Sequence, residues 1–321
     1  MKNFKGFTFT LLALLLVLST NGLAQDSPEL VEEEEQAQAE EQLSAEEAAV
    51  DMGPLSSMEV DDQAATGEDA AQATDLAEVK EAFAKDKTGT NPMNFTYDAR
   101  LYDEYRWLNT DGDGSQNLVT AEFRAPFAGG KWQIRGKIRR TDLKADFNND
   151  GFNDVNEGGF GDTDIRVMTV PYMSMEKKLA VAVGVEAFID TASDDALGTG
   201  ATSLAPFIFL GFFNPIGPGS IFVPGYQHTY SVKEANGRDK VHGGLIDMFL
   251  VKTWKSNKYW GYVDPQIILD YEEHTEFMLL EIQAGMMVGP AGHSMWAMPS
   301  FGVGTHRPYD FSLEIGYKIV F

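Results

Sequence analysis

Apolar and polar residues alternate along much of the chain after residue 90. In the first such stretch, one face carries Phe95, Tyr97, Ala99, Leu101, Tyr105 and Trp107, and the other carries Thr96, Asp98, Arg100, Glu104 and Arg106. Because successive side chains of a β-strand point to opposite faces, this pattern predicts a strand with one apolar and one charged face. Stretches of about ten residues are long enough for a tilted strand to cross a bilayer.

The next two stretches repeat the contrast. Val119 to Phe127 sets apolar residues against Glu122 and Arg124, and Trp132 to Ile138 sets them against Arg135, Lys137 and Arg139. Charges of both signs on one face indicate a hydrated interior. The residues predicted to line this lumen are Asp98, Arg100, Glu104, Arg106, Glu122, Arg124, Arg135, Lys137 and Arg139.

Connections and the last stretch favour a barrel over a soluble sandwich, which would also alternate. Short links at residues 128–130, 176–178, 256–258 and 289–292 alternate with longer polar ones at 146–162 and 190–200. Outer-membrane barrels pair tight periplasmic turns with longer external loops. The stretch from Phe311 to Phe321 alternates throughout and ends on an aromatic residue, like the assembly signal of outer-membrane proteins.

The predicted fold is therefore an all-β, antiparallel transmembrane β-barrel of about 12 strands. Aromatic residues near the strand ends are expected to form girdles at the membrane interfaces. The residues assigned to these girdles are Trp107, Trp132, Trp254, Tyr259 and Trp260.

Two segments precede the barrel. Lys2 and Lys5, an apolar run and the small residues before Gln25 predict a signal peptide over residues 1–24. Residues 25–88 are rich in Glu, Gln, Ala and Asp, which predicts a disordered acidic periplasmic tail, with a transient helix or a coiled coil around residues 30–50 as the alternative. The barrel then occupies residues 89–321 of an outer-membrane protein in contact with lipid.

Most of the negative charge belongs to the tail. Of the net charge of -24, residues 26–87 contribute twenty acidic residues against three lysines. The barrel region is therefore only mildly acidic, and nucleic acid is not an expected partner. The chain has no cysteine, and its five histidines show no metal-ligand spacing, so we expect no enzyme activity.

One polar link has the spacing of a calcium loop. Oxygen ligands fall at positions one, three, five, seven, nine and twelve of the loop, with Gly151 at position six. The predicted ligands are Asp146, Asn148, Asp150, Phe152 through its carbonyl group, Asp154 and Glu157. Because strands flank this loop, it would be a calcium site in a barrel loop and not an EF-hand; a solvated acidic loop without a cofactor is the alternative.

A second pair of motifs resembles a known family. Gly159-Phe160-Gly161-Asp162-Thr163-Asp164 and the later Leu197-Gly198-Thr199-Gly200 are similar to elements of the "MetA-pathway of phenol degradation" family over roughly residues 90–321. The resemblance implies an outer-membrane transporter. Asp190-Thr191-Ala192 stands where the family often has Pro-Thr-Gly, so the shared substrate does not follow. The glycines are expected to permit tight turns where loops meet strands.

Two functions follow as hypotheses. The first is a channel or transporter for small aromatic or apolar solutes, with a locally positive wall that favours anionic or aromatic compounds. The second is a structural barrel, closed by internal salt bridges, whose acidic tail binds a periplasmic or envelope partner.

The calcium loop gives the first testable prediction. Calcium at about millimolar concentration should protect residues 146–157 from protease, because a bound cation cancels the repulsion among the carboxylates. Alanine at both Asp146 and Glu157 should abolish this protection. Cleavage would be monitored by mass spectrometry. Equal cleavage in calcium and in chelator would reject the site.

Overall fold

A computed structural model describes residues 88–110, 113–146, 154–235, 237–255, 257–289 and 292–321. The predicted signal peptide and nearly all of the acidic segment lie outside these residues. The described strands are β1 (Asp98–Leu108), β2 (Gly114–Phe127), β3 (Trp132–Ala145), β4 (Val155–Phe160), β5 (Thr163–Ser174), β6 (Leu179–Ile189), β7 (Ala201–Phe213), β8 (Ser220–Glu234), β9 (His242–Trp254), β10 (Tyr259–Asp270), β11 (Thr275–Met287), β12 (His293–Val303) and β13 (Tyr309–Val320).

The strands close into an antiparallel barrel. Neighbours in sequence pair with each other, and β1 pairs with β13 from Asp98↔Val320 onward, which joins the two ends of the sheet. Closure gives each strand two hydrogen-bonding neighbours except the short β4, which among the described residues pairs with β3 alone. The only helix described is a 3-10 turn at Asp195–Leu197. Within the described residues, no helix is long and apolar enough to cross a membrane.

Strands β4 and β5 together occupy one strand position in the barrel. The first half of β3 pairs with β5, as in Gly136↔Ile165, and its second half pairs with β4, as in Thr141↔Gly159. β4 and β5 are therefore one strand broken at Gly161-Asp162, and thirteen elements make a barrel of twelve strands. The predicted strand number is confirmed, but the predicted loop at 146–162 is shorter than expected because residues 155–160 are paired.

The two ends of the barrel differ. Residues 128–131, 175–178, 214–219, 255–258 and 288–292 connect strands at the end where β1 starts and β13 finishes. The longest links, 146–154 and 190–200, lie at the other end. We assign the short-turn end to the periplasm and the long-loop end to the exterior.

The outer surface is apolar. Ile134, Ile138, Ile165 and Ile208 are all exposed to the surroundings at mid-strand, as a lipid-facing belt requires. Aromatic pairs flank the belt: Trp107 and Phe311 lie 5.2 Å apart at the outer end, and Phe127 stacks on Trp132 at 6.4 Å at the periplasmic end. The closed barrel with this belt is an outer-membrane protein.

One girdle assignment was wrong. Trp260 is 1% exposed and faces the interior, where its Nε1 donates to Gln283 Oε1 at 2.9 Å. Its place near a strand end predicted an interfacial position. Because successive residues of β10 point to opposite faces, Trp260 lies on the inner face with Tyr262 and Asp264. By contrast Trp254 is 45% exposed and lies beside Tyr259 at the periplasmic end, as a girdle residue should.

Glycines on the inner face make room for the large rings. A Cβ at Gly316 would lie 2.0 Å from Cζ2 of Trp296, and one at Gly285 would lie 2.2 Å from Cζ2 of Trp260. The indole rings therefore lie flat against neighbouring strands, over residues without side chains. Larger residues at these positions would push the rings into the lumen.

Gly316→Ala tests this packing. The added methyl should destabilise the barrel by about 1–3 kcal/mol, because overpacking forces Trp296 to shift. Urea unfolding in detergent, with heat-dependent migration in gels as a second readout, would measure the loss. Gly136→Ala is the control, since a Cβ there meets no atom within 4 Å; equal midpoints for both variants would contradict the packing argument.

Candidate functional site: the barrel interior

The nine charged residues assigned to the lumen from sequence share the inner face of β1, β2 and β3. Their side chains are buried or half-buried and most contact one another. Arg100 Nε lies 2.7 Å from Asp98 and 3.5 Å from Glu122, and Arg124 Nε lies 2.5 Å from Glu122. Nearer the exterior, Arg106 pairs with Glu104 at 2.8 Å. Pairing offsets the cost of placing charges in an enclosed interior.

The network extends onto strands that the sequence reasoning did not use. Arg135 contacts Glu186, which also accepts from Arg166 at 2.5 Å, and Arg139 lies 2.5 Å from Asp164. Asp164, Arg166 and Glu186 alternate with apolar residues in β5 and β6, so the period-two pattern could have revealed them.

Together these strands form a basic wall that is largely neutralised. Six basic side chains, Arg100, Arg124, Arg135, Lys137, Arg139 and Arg166, share four carboxylates, Asp98, Glu122, Asp164 and Glu186. The wall therefore keeps a small positive excess instead of the strong positive charge that its arginines alone suggest.

Strands β9 to β13 place four carboxylates in the interior. Asp247, Asp264, Glu281 and Glu314 lie on β9, β10, β11 and β13, and none of them forms an ion pair with a basic side chain in the described part of the chain. Glu314 accepts from Trp296 Nε1 at 2.6 Å, and Asp264 accepts from Gln266 at 2.8 Å. The lumen residues predicted from sequence come from the first three strands and do not include these carboxylates.

A cavity of about 270 Å³ lies between the two walls. Its lining comes from strands around the whole ring, including Arg124 on β2, Met168 on β5, Asp247 on β9 and Lys318 on β13. The cavity therefore lies on the barrel axis and not in the wall.

Residues 88–95, which precede β1, line this cavity with Gly89, Thr90 and Pro92, and we call them the plug segment. Lys318 Nζ donates to the carbonyl of Thr88, and Arg100 Nη2 donates to the carbonyl of Gly89 at 2.9 Å. A turn follows, in which the amide of Met93 donates to Asn91 Oδ1 at 2.9 Å. The segment is thus tied to β1 and β13 before the first strand begins.

Met93 anchors the plug segment across the lumen. Its side chain is 3% exposed and packs in an apolar cluster with Met168, Phe209, Val223 and other inward residues of β5 to β9. Gly211 makes space for it, since a Cβ there would lie 3.0 Å from the Met93 methyl group. Phe95 packs against the same cluster. The apolar half of the interior is therefore covered by the chain itself.

The predicted calcium loop falls partly outside the described residues, which include neither Asn148, Asp150 nor Phe152. Asp146 follows β3 and is 4% exposed, whereas Asp154 is exposed. Glu157 lies inside β4, paired with Leu143, and not at the end of a loop. Among the described side chains, no group of three His, Asp or Glu is placed to hold a metal ion. The site stays a prediction.

The two glycine-containing motifs meet at the outer end. Asp162 accepts from the backbone amides of Thr191 and Ala192 at 3.3 Å and from that of Thr199 at 2.8 Å. Gly198 permits this approach, since a Cβ there would lie 2.6 Å from Asp162 Oδ1. Of the four glycines expected to permit tight turns, only Gly200 has a positive φ, of 66°; the others are needed for close contact.

A solved outer-membrane channel has a similar fold. An outer membrane channel from Pseudomonas putida F1 superposes with a TM-score of 0.57 at 8% identity, over 73% of this chain and 98% of that one. The KdgM porin superposes with a TM-score of 0.47 at 8% identity, over 70% of this chain and 99% of that one. No protein-family model and no curated protein matches the sequence. The resemblance to the phenol-degradation family is therefore supported only as far as an outer-membrane barrel.

Asp162→Ala tests the junction of the two motifs. Three backbone amides would lose their acceptor, at about 1–3 kcal/mol for a buried donor and less where water reaches it. We expect residues 190–200 to become sensitive to protease added outside intact cells. Asp195→Ala is the control, since its side chain is 99% exposed on the same loop. Equal cleavage of both variants would show that Asp162 does not hold the loop.

Proposed function

We propose that this barrel is an outer-membrane channel for small solutes, closed at its periplasmic end by the plug segment. The observation that carries the proposal is the axial cavity, lined by charged and aromatic residues from strands all around the ring. An interior with only a structural role would be expected to pack to the density of a protein core. The Pseudomonas putida protein of similar fold is described as an outer membrane channel.

The lining favours aromatic solutes within this class. Phe209, Phe249, Tyr262 and Trp296 all border the cavity beside the charged walls. Rings of this kind contact aromatic molecules edge-to-face, and arginine side chains stack on them. Purely apolar solutes would have to displace water from the charged walls. The resemblance to a family of outer-membrane transporters points to the same class.

The ion pairs favour a second candidate, a structural barrel. Glu122 and Glu186 are each 3% exposed at the side chain and each contact two or more basic groups, which cross-links neighbouring strands. Such a network could hold a closed barrel rigid. In that case the acidic segment at residues 25–88 would bind a periplasmic or envelope partner, and the calcium loop would stiffen the exterior.

Removing the plug segment separates the two candidates. Deletion of residues 88–95 should raise single-channel conductance in planar bilayers severalfold, because it opens the periplasmic side of the cavity. Met93→Ala should act in the same direction, since truncating a buried methionine weakens packing by about 2 kcal/mol or more. Met286→Ala is the matched control, because Met286 is 40% exposed on the outer face.

Two results would contradict the proposal. Deletion with unchanged conductance would place the barrier elsewhere and reject the plug. If neither the wild type nor the two plug variants conduct ions in planar bilayers, although circular dichroism verifies that they are folded, the channel is rejected and the structural barrel is favoured.

A further inference from the structure

The charges that border the cavity lie on two sides: the arginines are on β1, β2, β3 and β5, Lys318 is on the adjoining β13, and the two aspartates are on β9 and β10. Arg135 lies on β3 and Asp264 on β10, which are six steps apart in either direction around the ring of twelve strands. Arg124 on β2 and Asp247 on β9 have the same relation. A solute in the cavity therefore lies between a cationic wall and an anionic wall that face each other across the barrel axis.

The two walls differ in how well they are paired. Each arginine on the cavity has a carboxylate partner on its own side, such as Glu122 for Arg124 or Glu186 for Arg166. Asp247 and Asp264 have no basic partner among the described residues; they lie on the neighbouring strands β9 and β10, with Asp247 opposite Gln266. Two neighbouring carboxylates in an enclosed site either repel or share one proton, and in both cases the pair keeps negative charge that attracts a positively charged group from solution.

Both walls contain buried polar atoms without a protein hydrogen-bond partner. Two of these atoms belong to side chains that line the cavity, Nε of Arg135 on the basic wall and Oδ1 of Asp264 on the acidic wall; a third, Oδ1 of Asp164, belongs to a basic-wall residue outside the cavity lining. The Arg135 side chain is 12% exposed and Asp264 is 5% exposed, so neither atom is well hydrated at the surface. A buried donor or acceptor left unpaired costs about 1–3 kcal/mol. One donor and one acceptor on opposite sides of a cavity match a molecule with an anionic and a cationic end.

Aromatic rings line the cavity on the side of the two aspartates. Tyr262 on β10 and Trp296 on β12 border the cavity, and Phe249 on β9 packs on Tyr262 with ring centroids 4.7 Å apart. The cavity therefore offers a flat apolar group an aromatic surface next to the aspartates, while its two sides carry opposite charges.

We propose that the cavity is a binding site for aromatic zwitterions, with the solute carboxylate at Arg135 and the solute ammonium at Asp264 and Asp247. The proposal rests on the proposed function in that it names the solute class of the same lumen. Binding itself needs no conduction, so the two can be tested separately.

A matched set of probes tests the charge requirement. Para-(aminomethyl)benzoate carries both charges at opposite ends of one ring, its methyl ester carries only the cation, and para-methylbenzoate carries only the anion. Calorimetric titration of the full-length protein in detergent at neutral pH should give the tightest binding for the zwitterion. We expect an advantage of at least about tenfold over each singly charged probe, as the loss of one hydrogen bond to a charged group implies.

The Asp264→Asn variant tests whether the ammonium group of the probe binds at Asp264. This variant keeps the shape of the side chain and removes its charge, so the zwitterion should lose its advantage over para-methylbenzoate. Asp239→Asn on the exposed link between β8 and β9 is the control and should leave all three affinities unchanged.

The outcomes separate the two proposals. Equal affinity for all three probes, or tighter binding of the ester than of the zwitterion, would overturn the zwitterion site, and conductance would then still decide the channel. Zwitterion binding that Asp264→Asn leaves intact would also overturn the assignment. Zwitterion binding lost in Asp264→Asn supports the site, even if the barrel conducts no ions.

Discussion

Closure of the sheet is the constraint on which the rest of this structure depends. In a bilayer each backbone N–H and C=O must find a partner within the protein, and pairing of β1 with β13 removes the last open edge. Once the sheet is closed, its outer face can carry only apolar residues at mid-membrane, and charged residues must point inward. The interior is narrow, so these charges either pair, as Arg124 and Glu122 do, or face a hydrated cavity.

The order of the strands in the closed barrel then determines which charged side chains contact each other. Neighbouring strands bring side chains into contact, which accounts for the pairs of Arg135 and Arg139 with carboxylates of β5 and β6. Strands six steps apart face each other across the axis and cannot pair directly. The basic residues cluster on one side because β13, β1, β2, β3 and β5 are adjacent in the ring, whereas Asp247 and Asp264 lie on β9 and β10, opposite β2 and β3. The separation of charge is thus a property of the closed ring and not of any single strand.

Different kinds of interaction hold the chain in place at the two ends of the barrel. At the periplasmic end, the chain before β1 turns into the barrel and packs Met93 against an apolar cluster that would otherwise meet water. At the outer end, Asp162 accepts from three backbone amides and fixes the link between β6 and β7 at the barrel rim. The first arrangement rests on apolar contact and the second on directed hydrogen bonds, so they should respond differently to temperature and to salt.

The sequence by itself determined the alternating faces of the first three strands and the approximate strand number, because a period of two assigns each side chain to one face regardless of its neighbours. It predicted Arg135 and Arg139 on the inner face, but it placed Trp260 at the interface, since position in a strand indicates depth but not contacts. Only the tertiary structure brought Arg135 to Glu186, Lys318 to Thr88, and Asp264 opposite Arg135. These relations depend on register and closure, which join residues far apart in sequence. The plug segment has no alternating pattern, so its position in the lumen follows only from the cavity that the closed barrel leaves.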